Sequence, residues 1–209
     1  MLKAALFDLD GTIVDSESQY TRFWGAMGQE YGVPVENFAQ VIKGTTLTQI
    51  FGRYFPHDDW QRSIKSRLDQ WEQDMDYQFI PGAKELVERL RAEGIMTLIV
   101  TSSNDQKMAA LRKKLPEVWN LFDHIVTADQ FAASKPAPDC YLTAMQIAHA
   151  EPSVCLAFED TATGLQAAKA AGLKTVGIAT TQPAEQIAPY SDILIREFSE
   201  LNIDEILNK

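Results

Sequence analysis

Short apolar runs recur along the chain at Ala4–Phe7, Met96–Val100, His124–Thr127, Val154–Phe158 and Thr175–Ile178, with a weaker one at Asp192–Ile195. Between most of them lie stretches of helical periodicity, at Gly82–Glu93, Asp105–Lys114, Pro138–Ala148 and Thr161–Ala171. The runs do not alternate apolar with polar. That is the mark of strands buried on both faces, as in a parallel sheet covered by helices. Strand–helix alternation of this kind predicts an α/β fold with a doubly wound parallel sheet.

The rhythm breaks between Ser16 and Ile80, where no strand pattern is legible. Ser18–Tyr31, Asn37–Ile42, Thr46–Phe55 and Asp58–Tyr77 read as helices, punctuated by Gly32-Val33-Pro34 and Phe55-Pro56-His57. Phe23, Trp24, Met27 and Tyr31 fall at helical spacings and form a core-facing stripe. Tyr20 lies nearer the start of the insertion, where it can face a cleft. Thr46 has the chemistry of a helix N-cap.

Two carboxylates follow the first apolar run, in Asp8-Leu9-Asp10-Gly11-Thr12. Alternate residues of a strand project to the same side, so Asp8 and Asp10 can enter one crevice at the sheet's carboxyl edge. Like charges at that distance repel unless a cation lies between them. Mg²⁺ is the natural candidate, since it takes oxygen ligands and leaves room for phosphate. A second acidic pair, Glu159-Asp160, closes the fourth apolar run. Taken alone, Asp-x-Asp-Gly-Thr also reads as a strand ending in an Asx turn, and Glu-Asp as a helix start.

Four segments together resemble the motifs of haloacid dehalogenase (HAD) superfamily phosphatases, in order and across essentially the whole chain. They are Asp8–Thr12, then Leu98-Ile99-Val100-Thr101-Ser102-Ser103, then Ser134-Lys135-Pro136-Ala137-Pro138-Asp139, and lastly Phe158-Glu159-Asp160-Thr161 with Gly164. By these motifs the chain resembles in particular the β-phosphoglucomutase-like phosphatases with a helical cap. The resemblance implies a Rossmann-like core over residues 1–15 and 81–209 and an α-helical cap over 16–80, hinged near Val14–Ser16 and Ile80–Gly82. Asp8 is then the nucleophile that forms an aspartyl-phosphate, and Asp10 the general acid and base. Thr101 and Lys135 complete the catalytic set. The metal ligands implied are Asp8, Asp10 through its carbonyl, Glu159 either directly or through water, and Asp160. Leu9, Asp10, Thr101, Ser102, Ser103 and Lys135 are implied in substrate and phosphate binding. Asn104 can add a donor at the helix N-terminus that follows.

The implied activity is Mg²⁺-dependent hydrolysis of a small phosphomonoester such as a sugar phosphate. A sugar-phosphate mutase is the alternative. Here the cap departs from the mutase pattern, with Tyr20 in place of a histidine. The mutase's cap-loop arginine is also replaced, by Leu47 after Lys43-Gly44-Thr45-Thr46. That loop resembles the family's substrate-reading loop, while a capped helix start remains the structural reading. A phospho-acceptor domain also combines Asp, Thr and Lys on such a sheet, but it lacks both the helical insertion and an acid at the position of Asp10.

The 209 residues suffice for one good core and a small accessory domain. A net charge of −10 argues against nucleic-acid binding. It also places anion binding in local features such as Lys135, a metal and backbone N–H groups. No apolar run reaches membrane-spanning length, and the N-terminus reads as a strand, not a signal peptide. Cys140 and Cys155 lack metal-ligand spacing and read as reduced core thiols. A cytoplasmic monomer or weak homo-oligomer acting on a phosphorylated metabolite is expected. His57, His124 and His149 read as structural, and Gly44, Gly164 and Gly172 form no nucleotide loop.

Overall fold

A computed structural model describes residues 1–43 and 45–207. Gly44, in the cap-loop stretch singled out above, lies outside the described residues, as do the last two residues of the 81–209 segment. Six parallel strands form one sheet in the order β3-β2-β1-β4-β5-β6. They are β1 (Ala4–Phe7), β2 (Met96–Val100), β3 (His124–Val126), β4 (Cys155–Glu159), β5 (Lys174–Ile178) and β6 (Ile193–Ile195). The chain winds outward from β1 to β3, then crosses back beside β1 and winds outward to β6. The order therefore reverses at β1 and β4, where open α/β sheets form their binding crevice.

The central strands bury both faces. Ala5 and Phe7 of β1, Ile99 of β2 and Leu156 and Phe158 of β4 enter one apolar layer. Ala4, Leu6, Leu98, Val100, Cys155 and Ala157 enter the other. This two-sided burial is why the runs carry no alternation in sequence. Phe7 stacks on Phe158 across paired strands, with ring centroids 4.3 Å apart, and pins β1 to β4 one residue before Asp8 and Glu159. Helices α5 (Ala83–Ala92), α6 (Asp105–Lys114), α8 (Asp139–Ala148) and α9 (Ala162–Ala170) cover the sheet. Cys140 and Cys155 are buried and unbonded to each other.

Between β1 and α5 the chain makes four helices: α1 (Glu17–Glu30), α2 (Phe38–Val41), α3 (Leu47–Tyr54) and α4 (Asp58–Asp74). They close over an apolar cluster of their own that includes Phe23, Trp24, Met27, Phe38, Ile50, Phe55, Ile64 and Leu68. A full capping box between Thr46 and Gln49 starts α3. The helix expected over Asp58–Tyr77 ends at Asp74 instead. Met75 and Tyr77 leave it to bury themselves in the core layer. Phe79 bridges Val14 in antiparallel fashion. The outgoing and returning segments are thus tied side by side, with Asp15 N–H donating to Gln78 O and Ile80 N–H to Ile13 O, both at 2.9 Å. Helix α7 (Glu117–Leu121) carried no clear pattern in sequence; it is a single short turn of helix that buries Val118 and Leu121.

Candidate active site

The carboxyl ends of β1, β2 and β4 place Asp8, Thr101 and Asp160 around one cavity of about 240 Å³, with Glu159 buried beside Asp160. The insertion supplies its opposite wall through Glu17, Tyr20, Lys43, Thr46 and Glu72. Asp8, Glu159, Asp160 and Lys135 are all buried. The Lys135 ammonium donates to Asp8 Oδ1 at 2.6 Å, to Glu159 Oε1 at 2.5 Å and to the Val100 carbonyl at 3.1 Å. Tyr141 on α8 donates its hydroxyl to the same Glu159 oxygen at 2.7 Å. Thr12 donates to Asp160 Oδ1 at 3.1 Å.

Asp10 lines the same cavity but has partners of its own. Its Oδ1 accepts from Ser16 Oγ at 2.5 Å. Its Oδ2 accepts from Ser103 Oγ at 3.0 Å and from Lys107 Nζ at 2.6 Å. Thr101 Oγ1 accepts from the Ser103 N–H at 3.0 Å, which leaves its hydroxyl proton to be donated elsewhere. Asn104 caps α6 by accepting from the Lys107 N–H at 2.9 Å. Ser102 is exposed on the cavity rim. Leu9 does not bring its side chain to the cavity; it is buried in the apolar layer, and its carbonyl accepts from the N–H groups of Ile13 and Val14.

The electrostatics divide the two aspartates. Burial is the largest influence on Asp8 and pushes its carboxyl up to about 8, aided by Glu159 and Asp10 and opposed by Lys135. Burial likewise raises Asp160 well above its ordinary value, with Asp8 and Glu159 adding to it. Burial also opposes ionisation of Asp10, but the Lys107 charge and the hydrogen bonds from Lys107, Ser16 and Ser103 outweigh it. The Asp10 carboxyl is therefore held below its ordinary value. Lys135, facing two carboxylates, is held firmly protonated.

Three buried carboxylates face one ammonium, which leaves the group short of positive charge. Asp8, Glu159 and Asp160 each offer an oxygen, and these oxygens all lie within 4.8 Å of one another. Asp160 Oδ2 is buried with no hydrogen-bond partner. A buried acceptor without a partner is costly. An all-oxygen donor set with an unpaired acceptor fits a hard divalent cation. Two glycines keep the group open. A Cβ at Gly11, where φ is +81°, would fall 2.1 Å from Asp160 Oδ2, and one at Gly164 would fall 2.1 Å from the Glu159 carboxylate.

Lys107, Ser16, Tyr141 and Thr12 were not singled out as site residues in the sequence. Lys107 had a readable signal. It lies in the first turn of α6, where a cation opposes the helix dipole, so an acidic partner is called for. Tyr141 gave none, since its ring belongs to the apolar face of α8.

A parallel sheet with carboxylates on β1 and β4, a hydroxyl on β2 and a lysine on the loop before α8 defines a phosphoryl-transfer class of site. The chain matches the family of haloacid dehalogenase-like hydrolases over residues 5–178 and belongs to it. It is 31% identical over 210 residues to a validoxylamine A 7'-phosphate phosphatase of Streptomyces hygroscopicus subsp. limoneus, covering 96% of each chain. It is 27% identical to the β-phosphoglucomutase of Bacillus subtilis, covering 97% of this chain and 93% of that one. Among solved structures it resembles CbbY of Rhodobacter sphaeroides in complex with xylulose-(1,5)bisphosphate. The TM-score is 0.79, with 26% identity and 97% of each chain covered. Among the described residues, no helix is long and apolar enough to cross a membrane.

Proposed function

We propose that the chain is a Mg²⁺-dependent phosphatase of small phosphomonoesters, with a sugar phosphate or similar metabolite as substrate. The carrying observation is the division of labour between two aspartates on one strand end. Asp8 sits among the carboxylates and Lys135, while Asp10 is held apart by Ser16, Ser103 and Lys107. That is the arrangement required of a nucleophile beside a separate acid and base. The names of the relatives support hydrolysis of a phosphate ester.

In this reading Asp8, ionised when a cation is bound, attacks phosphorus and the ester P–O bond breaks; Asp10, ionised in the free site, takes the proton of the bound phosphomonoester monoanion and passes it to the departing oxygen. Asp10 then takes a proton from the water that attacks the aspartyl-phosphate, which frees inorganic phosphate and restores Asp8. Thr101 donates to a phosphoryl oxygen. Lys135 keeps Asp8 oriented and offsets charge that builds on the transferring group. Mg²⁺, held by Asp8, Asp160, the Asp10 carbonyl and Glu159 directly or through water, supplies charge neutralisation to the phosphoryl oxygens when bound. Residues 16–80 act as a cap over this site, hinged where Val14 pairs with Phe79.

The B. subtilis relative makes a mutase the second reading. A mutase must hold a bisphosphate, which calls for a free cation on the cap. Lys43 lies 3.5 Å from Glu17 Oε2 and donates to the Thr181 carbonyl at 3.4 Å. The other two lysines lining the cavity, Lys107 and Lys135, also have acidic partners. This pairing favours the phosphatase. Release of inorganic phosphate from a panel of sugar phosphates, phosphoglycolate, nucleotides and pyrophosphate, with Mg²⁺ present, tests it. Phosphate release from none of them would reject the reading.

A further inference from the structure

Lys107 belongs to none of the four motifs, yet it connects the two walls of the cavity. Its ammonium lies 2.6 Å from Asp10 Oδ2 on the core side. On the other side it sits 4.6 Å from the centre of the Tyr20 ring, a cation–π contact with the first helix of the insertion. Tyr20 is fixed in turn by its hydroxyl, which donates to Glu72 Oε1 on α4 at 2.9 Å. Helix α4 rests directly on α6, the helix that carries Lys107. The series Glu72–Tyr20–Lys107–Asp10 thus runs unbroken from the insertion to the strand end.

We propose that Lys107 is a positioning residue for the leaving-group step, orienting the Asp10 carboxyl and making that orientation depend on the placement of Tyr20. The geometry supports this over a substrate-binding role. The Lys107 side chain is only 10% exposed. Ser16 on Oδ1, with Ser103 and Lys107 on Oδ2, fixes the plane of the Asp10 carboxyl from both oxygens. Removing Lys107 leaves Ser103 as the one donor to Oδ2 among the contacts described, so the carboxyl gains freedom to rotate. A proton donor must meet the leaving oxygen within hydrogen-bond reach, and small misplacements there lower the rate steeply.

The inference rests on the phosphatase reading, and leaving-group chemistry separates the two. An alkyl ester needs a proton on its departing oxygen, whereas p-nitrophenyl phosphate releases a stable phenolate without one. The comparison uses kcat/KM, which covers the steps through leaving-group departure only. Wild type, K107M and K107R are assayed on glucose 6-phosphate and p-nitrophenyl phosphate with Mg²⁺, alongside thermal melting. General acid catalysis contributes roughly 10²–10⁴-fold. K107M loosens the acid and does not delete it, so kcat/KM on glucose 6-phosphate is expected to fall about 10- to 100-fold. On p-nitrophenyl phosphate the fall is expected to stay within about threefold, and K107R is expected to recover part of the loss. Y20L is expected to move the two substrates apart in the same direction, to a smaller degree.

A parallel loss of kcat/KM on both esters overturns the positioning role. If K107M does not melt cooperatively, K107Q carries the same comparison under the same criteria. If wild type hydrolyses neither ester, the alkyl ester is taken from the substrates that release phosphate in the panel above; release from none of them overturns the phosphatase reading, and this inference with it.

Discussion

Gly11 passes so close to Asp160 that a Cβ on it would lie 2.1 Å from the Asp160 Oδ2 atom. The same Cβ would meet Thr181 Oγ1 at 2.2 Å, and the backbone there is left-handed at φ +81°. Gly11→Ala must therefore displace a buried carboxylate and adopt a conformation unfavourable to any L side chain. We expect a loss of about 2–4 kcal/mol in urea unfolding, with Mg²⁺ restoring less stability than it restores to wild type. Gly52→Ala is the control. Gly52 lies inside α3 with open space around it, so alanine there should add about 0.5–1 kcal/mol through helix propensity. Equal behaviour of the two variants would remove the close approach from the account.

The strand ends were legible because each aspartate follows an apolar run too short and too uniform to be anything but a buried strand. β1, β2 and α6 begin and end where the pattern places them. The end of α4 was not legible. Tyr77 keeps a helical spacing with the residues before it, and only its burial in the core layer pulls the chain out of the helix. The partners of Asp10 were hidden for a similar reason. Lys107 stands 97 residues from it; its place in the first turn of α6 calls for an acidic partner, but no local spacing says which carboxylate the winding of the sheet brings there. Long-range pairing of this kind belongs to topology, which the order of elements suggested but did not specify residue by residue.

Metal-free protein should lose stability as pH rises. The Asp8 carboxyl, raised by burial to about 8, and Asp160, raised well above its ordinary value, hold protons that the unfolded chain has already released. Between about pH 4 and 8 the folded state thus binds more protons than the unfolded one, and stability falls through that window. A cation on the same oxygens competes with those protons, so stabilisation by Mg²⁺ should grow across the same range. Melting temperatures in chelator and in excess Mg²⁺, taken from pH 5 to 8, should diverge. Parallel curves would argue against a metal site at Asp8 and Asp160.

The pairing of Lys43 with Glu17 bears on the mutase alternative. With β-glucose 1-phosphate, Mg²⁺ and a trace of glucose 1,6-bisphosphate, we expect inorganic phosphate and no comparable formation of glucose 6-phosphate. Coupled assay of both products decides between the readings. Efficient glucose 6-phosphate formation with little free phosphate would make the chain a mutase. Lys43 would then be the first cation to examine for a hold on the second phosphate.

We propose that the Asp8 carboxylate is the nucleophile of a metal-dependent phosphatase. Asp8→Asn keeps the size of the side chain and removes one negative charge from a crowded, buried group, so the fold should persist with undiminished melting temperature. Its nucleophilicity is gone, and loss of a nucleophile costs several orders of magnitude in rate. The most direct measurement is inorganic phosphate release with Mg²⁺ from the best substrate of the wild-type panel, compared between wild type and folded D8N. Release by wild type with less than about one per cent of it in D8N is the result expected. A folded D8N that retains more than that would contradict the assignment and require another nucleophile.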